Sequence, residues 1–166
     1  MRSIGVIACL CVLAAVSAYS FEASPSERTV TDSLVTVSPT PEPEFPTYSS
    51  YRGISIRTPA AEVAEKFGTP TQKSKAGDYY VISPTESVQI SYDLDQTVKS
   101  ITVNYTGDLK SAPTPMDVVG TDVRKDEEGS ISKMVSYPKE GFWISYIRTP
   151  GKDATIIITL RKTAKQ

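Results

Sequence analysis

The sequence predicts an α+β protein, with one or two short helices packed on a mainly antiparallel sheet and the order helix-strand-strand-strand occurring as a tandem repeat. Two observations predict it. The stretch Gly53-Ile-Ser-Ile-Arg-Thr-Pro-Ala-Ala-Glu-Val-Ala-Glu-Lys-Phe-Gly-Thr-Pro70 spells a short strand, a helix and an abrupt stop. The runs after it alternate apolar and polar residues with the period of a strand.

In the helix, Thr58 is placed to cap the free amides and Pro59 to fill the first helical position. Val63 and Phe67 share one face, and Gly68 offers a left-handed exit before Pro70. Residues 78–83 read as a strand ended by Pro84. Val88, Ile90 and Tyr92 then oppose Gln89 and Ser91, and Ile101, Val103 and Tyr105 oppose Ser100, Thr102 and Asn104. The turn composition of Asp93-Leu-Asp-Gln-Thr97 joins these two strands as an antiparallel hairpin.

The same order returns in weaker form. Pro115-Met-Asp-Val-Val-Gly120 reads as a short helix, and residues 130–137, 141–148 and 154–160 as three strands. Gly68-Thr69 matches Gly120-Thr121, Ile90-Ser-Tyr92 matches Ile144-Ser-Tyr146, and Ile101 matches Ile156, at offsets of 52, 54 and 55 residues. Small loop insertions between repeated elements give such drift, which places the repeats at 51–105 and 106–166.

The preceding residues read differently. Met1-Arg-Ser, an apolar run over residues 4–16 and either Val16-Ser-Ala18 or Ala18-Tyr-Ser20 make residues 1–20 a cleavable signal peptide. Its run of ~13 residues falls short of the ~20 that span a bilayer, so no stable membrane span is expected after cleavage. Both cysteines, Cys9 and Cys11, lie inside it, and the chain has no histidine. Val6-Ile-Ala-Cys9 has the look of a lipidation box but sits too early in the apolar run. Residues 21–50 are rich in Ser, Thr, Pro and Glu and form an expected disordered spacer, within which Thr29-Val-Thr-Asp-Ser-Leu-Val-Thr-Val37 has the composition of an edge strand. The folded domain is expected over 51–166. A secreted or periplasmic, envelope-associated protein follows.

Without Arg2 the chain carries 17 basic against 19 acidic residues. No Lys/Arg cluster exceeds Arg161-Lys162-Thr-Ala-Lys165, so nucleic-acid binding is not expected.

The 53–70 pattern, followed by Tyr79-Tyr80, the run 88–92 and Val98-Lys-Ser-Ile-Thr-Val103, resembles the SmpA/OmlA (BamE) lipoprotein family. It is also similar to the fold of the β-lactamase inhibitor proteins, in which helix-plus-sheet repeats stand in tandem. The resemblance implies a cofactor-free envelope assembly component or protein-binding module. A lipidated cysteine at the mature N-terminus and a short single domain belong to the BamE pattern, and neither is present here.

Catalysis lacks its usual residues. Without His or Cys in the mature chain, only carboxylates, Lys, Ser and Tyr remain. Asp93 and Asp95 read as turn caps, Asp126-Glu127-Glu128-Gly129 as a solvated turn, and Ser130-Ile-Ser-Lys133 places its Ser and Lys on opposite faces of a strand. No enzyme and no cofactor or metal is expected. A small hydrolase with a carboxylate site and a secreted structural or effector-like domain are the alternatives.

One strand pair is apolar on both faces. Phe142, Ile144 and Tyr146 alternate with Trp143 and Ile147, and Ile157 opposes Ile156 and Ile158. Trp143, Ile147 and Ile157, joined by Tyr79, Tyr80 and Tyr92, are therefore the candidate contact residues for a protein partner.

Overall fold

The computed structural model describes residues 46–164, so the expected signal at 1–20 and the spacer up to residue 45 lie outside the described residues. The elements in order are β1 (Ser50–Tyr51), β2 (Ile54–Ser55), α1 (Ala60–Phe67), β3 (Gln72–Ser74), β4 (Gly77–Ser83), β5 (Glu86–Tyr92) and β6 (Val98–Tyr105). Then follow α2 (Pro115–Val119), β7 (Ile131–Tyr137), β8 (Phe142–Arg148) and β9 (Ile156–Lys162). Strands β3 to β9 form one seven-stranded sheet in the order β3-β4-β5-β6-β9-β8-β7, and β1 pairs with β2. Every pairing is antiparallel, so the architecture is α+β and dominated by its sheet. No described helix is long and apolar enough to cross a membrane.

Packing begins before residue 51. Thr47 Oγ1 donates to the Val118 carbonyl at 3.2 Å, and Tyr48 packs against the core.

Helix α1 forms where expected but starts differently. Its N-cap is Pro59, with no side-chain cap, and Thr58 is occupied elsewhere. The Thr58 hydroxyl accepts from Ser55 N at 3.0 Å, while its carbonyl accepts from Val98 N at 2.8 Å. Two further backbone bonds, Arg57 N to Val98 O and Ala60 N to Gln96 O, stitch the helix start to the turn between β5 and β6. These tertiary bonds outcompete the local cap. At the other end Gly68 takes φ +71° with ψ −147°, a positive-φ exit outside the left-handed helical region, and its N–H bonds the Ala64 carbonyl at 2.9 Å.

Helix α2 is closed at both ends by side chain and glycine. Thr114 and Asp117 form a reciprocal capping box, and Gly120 is left-handed at φ +70°, ψ +14°.

Both helices lie on one face of the sheet. Val63, Val118 and Val119 are fully buried there with Val88, Ile90, Ile101, Val103, Ile144, Ile158 and Leu160. Each fully buried aliphatic side chain contributes ~2 kcal/mol. Phe67 completes the contact of α1, with its ring 5.3 Å from Tyr80 and 6.0 Å from Tyr51. Alternation then sends the intervening residues of every strand to the outer face, which no described helix covers.

Candidate functional site

The register of the outer face follows from the strand pairings. A central row runs Met134, Ser145, Thr159, Thr102, Gln89 and Tyr79 across six strands. On one side of it lie Ser132, Ile147, Ile157, Asn104, Ser87 and Val81. On the other side lie Ser136, Trp143, Arg161, Ser100 and Ser91. The face is thus hydroxyl-rich in the middle, with an apolar corner at Ile147 and Ile157 and an aromatic and cationic corner at Trp143 and Arg161. Direct hydroxyl contacts link the strands, Ser91 to Ser100 at 2.6 Å and Thr102 to Thr159 at 3.4 Å.

The predicted contact residues divide between the two faces. Trp143, Ile147 and Ile157 share the outer face, where Ile147 is 38% exposed and the other two are half-buried. Ile147 and Ile157 stand directly opposite one another, whereas Trp143 is four residues along β8, ~13 Å away. Tyr79 is also on the outer face but on β4, four strand spacings or ~19 Å from β8. Tyr80 and Tyr92 point the other way. Tyr80 is 4% exposed beneath Phe67, and the Tyr92 hydroxyl donates to Asp78 Oδ2 at 3.1 Å. Both are packing residues of the helix side, because the alternation that puts Val88 and Ile90 inside also carries Tyr80 and Tyr92 inside. Met134, 60% exposed at the edge of the central row, belongs with the outer-face residues and was masked in the sequence by the polar run around it.

A bulge adds a residue that alternation assigns to the core. Ser91 pairs with Ser100 but Tyr92 pairs with Val98, so Lys99 is the extra residue. Val98 takes the buried position, and Lys99 turns outward to line the same open depression as Trp143 and Arg161, a space of about 590 Å³. A second depression of about 330 Å³ adjoins it through Lys99 and Arg161 and reaches Lys75. Among the described residues neither Lys99 nor Arg161 has an ion-pair partner, while Lys162 at the rim is paired with Asp93.

The helix side holds a second polar group at the opposite end of the strands. Glu86, 15% exposed, accepts from the Tyr51 hydroxyl at 2.7 Å and from Arg52 Nη2 at 2.8 Å. Burial, with this hydrogen bond next, raises the Tyr51 hydroxyl well above the ordinary tyrosine value, and burial pushes Tyr48 up to about 12. These groups fasten residues 47–52 to the sheet.

Of the carboxylates considered from sequence, Asp95 and Asp126 serve turns. Asp95 accepts from Thr97 N and Oγ1, bonds that hold its carboxyl below the usual range. Asp93 differs from the expected turn cap, since its carboxylate takes Lys162 instead. Asp126 accepts from Glu128 N and Ser130 N, closing the acidic turn on itself. Among the described residues no three His, Cys, Asp or Glu side chains gather as a metal site would require. Comparison with protein-family models, with curated proteins and with solved structures finds no match to this chain.

Proposed function

We propose that this chain is a non-catalytic binding module of the cell envelope or extracellular space, and that a protein partner docks on the outer face of β8 and β9. One observation carries the reading: both helices pack on the same side of the sheet, leaving Trp143, Ile147, Ile157 and Met134 accessible on the other. An exposed apolar set around polar hydroxyls is the composition of a protein contact surface, with the indole as its energetic anchor at ~2 kcal/mol or more.

The tandem repeat belongs to the same proposal. Its support is the chain order, α1 followed by the three-residue β3 and then β4, β5 and β6, against α2 followed by β7, β8 and β9, so that β3 is an addition to the first half. The two meanders meet through their last strands, with Thr102 opposite Thr159 near the middle. Strand starts correspond at an offset of 54 for β4 and β7 and of 56 for β5 and β8. Helix-plus-sheet repeats in tandem are what the inhibitor-like resemblance implies, and two copies joined in this way would present one continuous outer face.

Site-specific photo-cross-linking tests the reading. A photoreactive side chain at Thr159, in the centre of the outer face, gives a discrete protein adduct that Trp143→Ala removes, and the same group at Glu65 on α1 does not. Equal adducts from both positions, or capture unchanged by Trp143→Ala, would sink the proposal.

A further inference from the structure

We infer that the corner of the outer face beside Trp143 receives an acidic, carboxylate-bearing extended segment of the partner, an inference that rests on the protein-binding reading above. The bulge carries the argument. Regular alternation from Ile101 and Val103 would turn Lys99 toward the core; the extra residue re-aims it outward, next to Arg161. Bulges are conserved devices for redirecting a side chain, and this one places a second cation beside the first.

The two cations differ from the other charges nearby. Lys162 is neutralised by Asp93, whereas Lys99 and Arg161 have no ion-pair partner among the described residues. Arg161 stands directly across from Trp143 on one side and Ser100 on the other. Its planar fork suits a carboxylate, the bonded Ser91–Ser100 hydroxyl pair keeps one O–H to donate, and the indole beside it takes an apolar neighbour of that carboxylate. Lys75 extends the positive strip across the adjoining depression, so the ligand is extended rather than a single anion. A nucleic acid fits poorly, since its affinity comes from many neutralised phosphates and this strip supplies few cations on a chain of net charge −1.

Trp143 is the chain's only tryptophan, so its fluorescence reports this corner alone. The probe is a short glutamate-rich peptide with one central phenylalanine, compared with a twin in which every glutamate is glutamine. The intact chain gives a saturable fluorescence change with the acidic peptide only. Affinity falls roughly tenfold or more in Lys99→Ser/Arg161→Ser, and falls again as salt is raised. Circular dichroism of that variant matches the parent, because both positions are surface-exposed. Equal response to both peptides, no response, or unchanged binding by the variant overturns the inference, as does tighter binding of heparin or duplex DNA than of the peptide. The same variant in the Thr159 cross-linking experiment separates the two readings. An adduct that survives Lys99→Ser/Arg161→Ser but is lost in Trp143→Ala refutes the acidic segment and leaves protein binding standing; absence of any adduct removes both.

Discussion

Replacing Glu86 with glutamine removes one charge and almost no volume from the group that fastens the start of the domain to its sheet. The carboxylate accepts from the Tyr51 hydroxyl at 2.7 Å and from Arg52 Nη2 at 2.8 Å. Glutamine keeps one acceptor oxygen but turns an NH₂ toward the second donor, so either the buried Tyr51 hydroxyl or the Arg52 guanidinium loses its acceptor. Such a loss costs ~1–3 kcal/mol. The Arg52 side chain is 52% exposed and recovers water, which limits its share to under ~1 kcal/mol. The sum predicts destabilisation of ~2 kcal/mol, or a fall in Tm of roughly 8 °C for a domain of this size. Chemical and thermal unfolding at neutral pH measure it, and Tyr51→Phe completes a double-mutant cycle with an expected coupling of ~1 kcal/mol. A loss below ~0.5 kcal/mol with no coupling would refute the reasoning, because it would mean that water already satisfies these groups.

Alkaline titration should unfold the domain cooperatively. Tyr51, Tyr92 and Tyr105 hold their protons well above the ordinary tyrosine value, chiefly through burial, and Tyr48 does so to about 12. The unfolded chain ionises near ~10, so the stabilisation is intact below that pH and is lost as pH rises toward about 12, Tyr48 alone accounting for on the order of 2 kcal/mol. Tyrosinate absorbance and loss of the sheet signal should coincide, and ionisation of all nine tyrosines near ~10 in a folded protein would contradict this. Gly77→Ala should cost ~3 kcal/mol or more, since its φ is +132° and the new Cβ would lie 2.2 Å from the Ile90 carbonyl oxygen. Gly68→Ala meets no atom within 4 Å, so its cost is the backbone strain of φ +71°, ψ −147° alone, ~1–3 kcal/mol, and a loss larger than that of Gly77→Ala in urea unfolding would refute the steric account. Thr114→Ala should cost ~1 kcal/mol by opening the α2 capping box, a change read by the same unfolding curves.

The fold was legible wherever one periodicity dominated. Val88, Ile90, Val103 and Ile144 alternate cleanly, and each is fully buried on the helix side as that pattern requires. What alternation misses is where long-range bonds intervene. Thr58 has the chemistry of a cap, yet Ser55 and Val98 claim its hydroxyl and carbonyl. Strands β1 and β3 are two and three residues long, too short to carry a period. Tyr80 and Tyr92 have the aromatic chemistry of contact residues but the phase of the helix side, where Tyr80 is buried and Tyr92 half-buried. Phase alone assigns them to the core, as it assigns Trp143 to the outside. The Lys99 bulge did leave a signal: Val98 and Ile101, both fully buried, are three residues apart where a regular strand would separate inward residues by two.

That broken spacing gives the proposed surface a direction. The outer face of β8 and β9 is graded along the strands: Ile147 with Ile157 at one end, Ser145 with Thr159 in the middle, Trp143 with Arg161 at the other. An acidic partner segment seated by Lys99 and Arg161 places its apolar continuation toward Ile147, since reversal would bury carboxylates against aliphatic carbon and leave both cations unpaired. The cost of the reversed orientation exceeds anything the neutral hydroxyl row between the corners can offset, because that row offers the same hydrogen bonds in either direction. Charge reversal at Lys99 and Arg161 should therefore weaken binding from the cationic end, while Ile147→Ser and Ile157→Ser should weaken it from the other. Cross-links from Ser136 and Ser132, at opposite ends of β7, should reach different parts of the same partner segment, acidic residues from Ser136 and apolar ones from Ser132. Identical cross-linked peptides from both positions would show that the face has no polarity, and the role assigned to the bulge would fall with it.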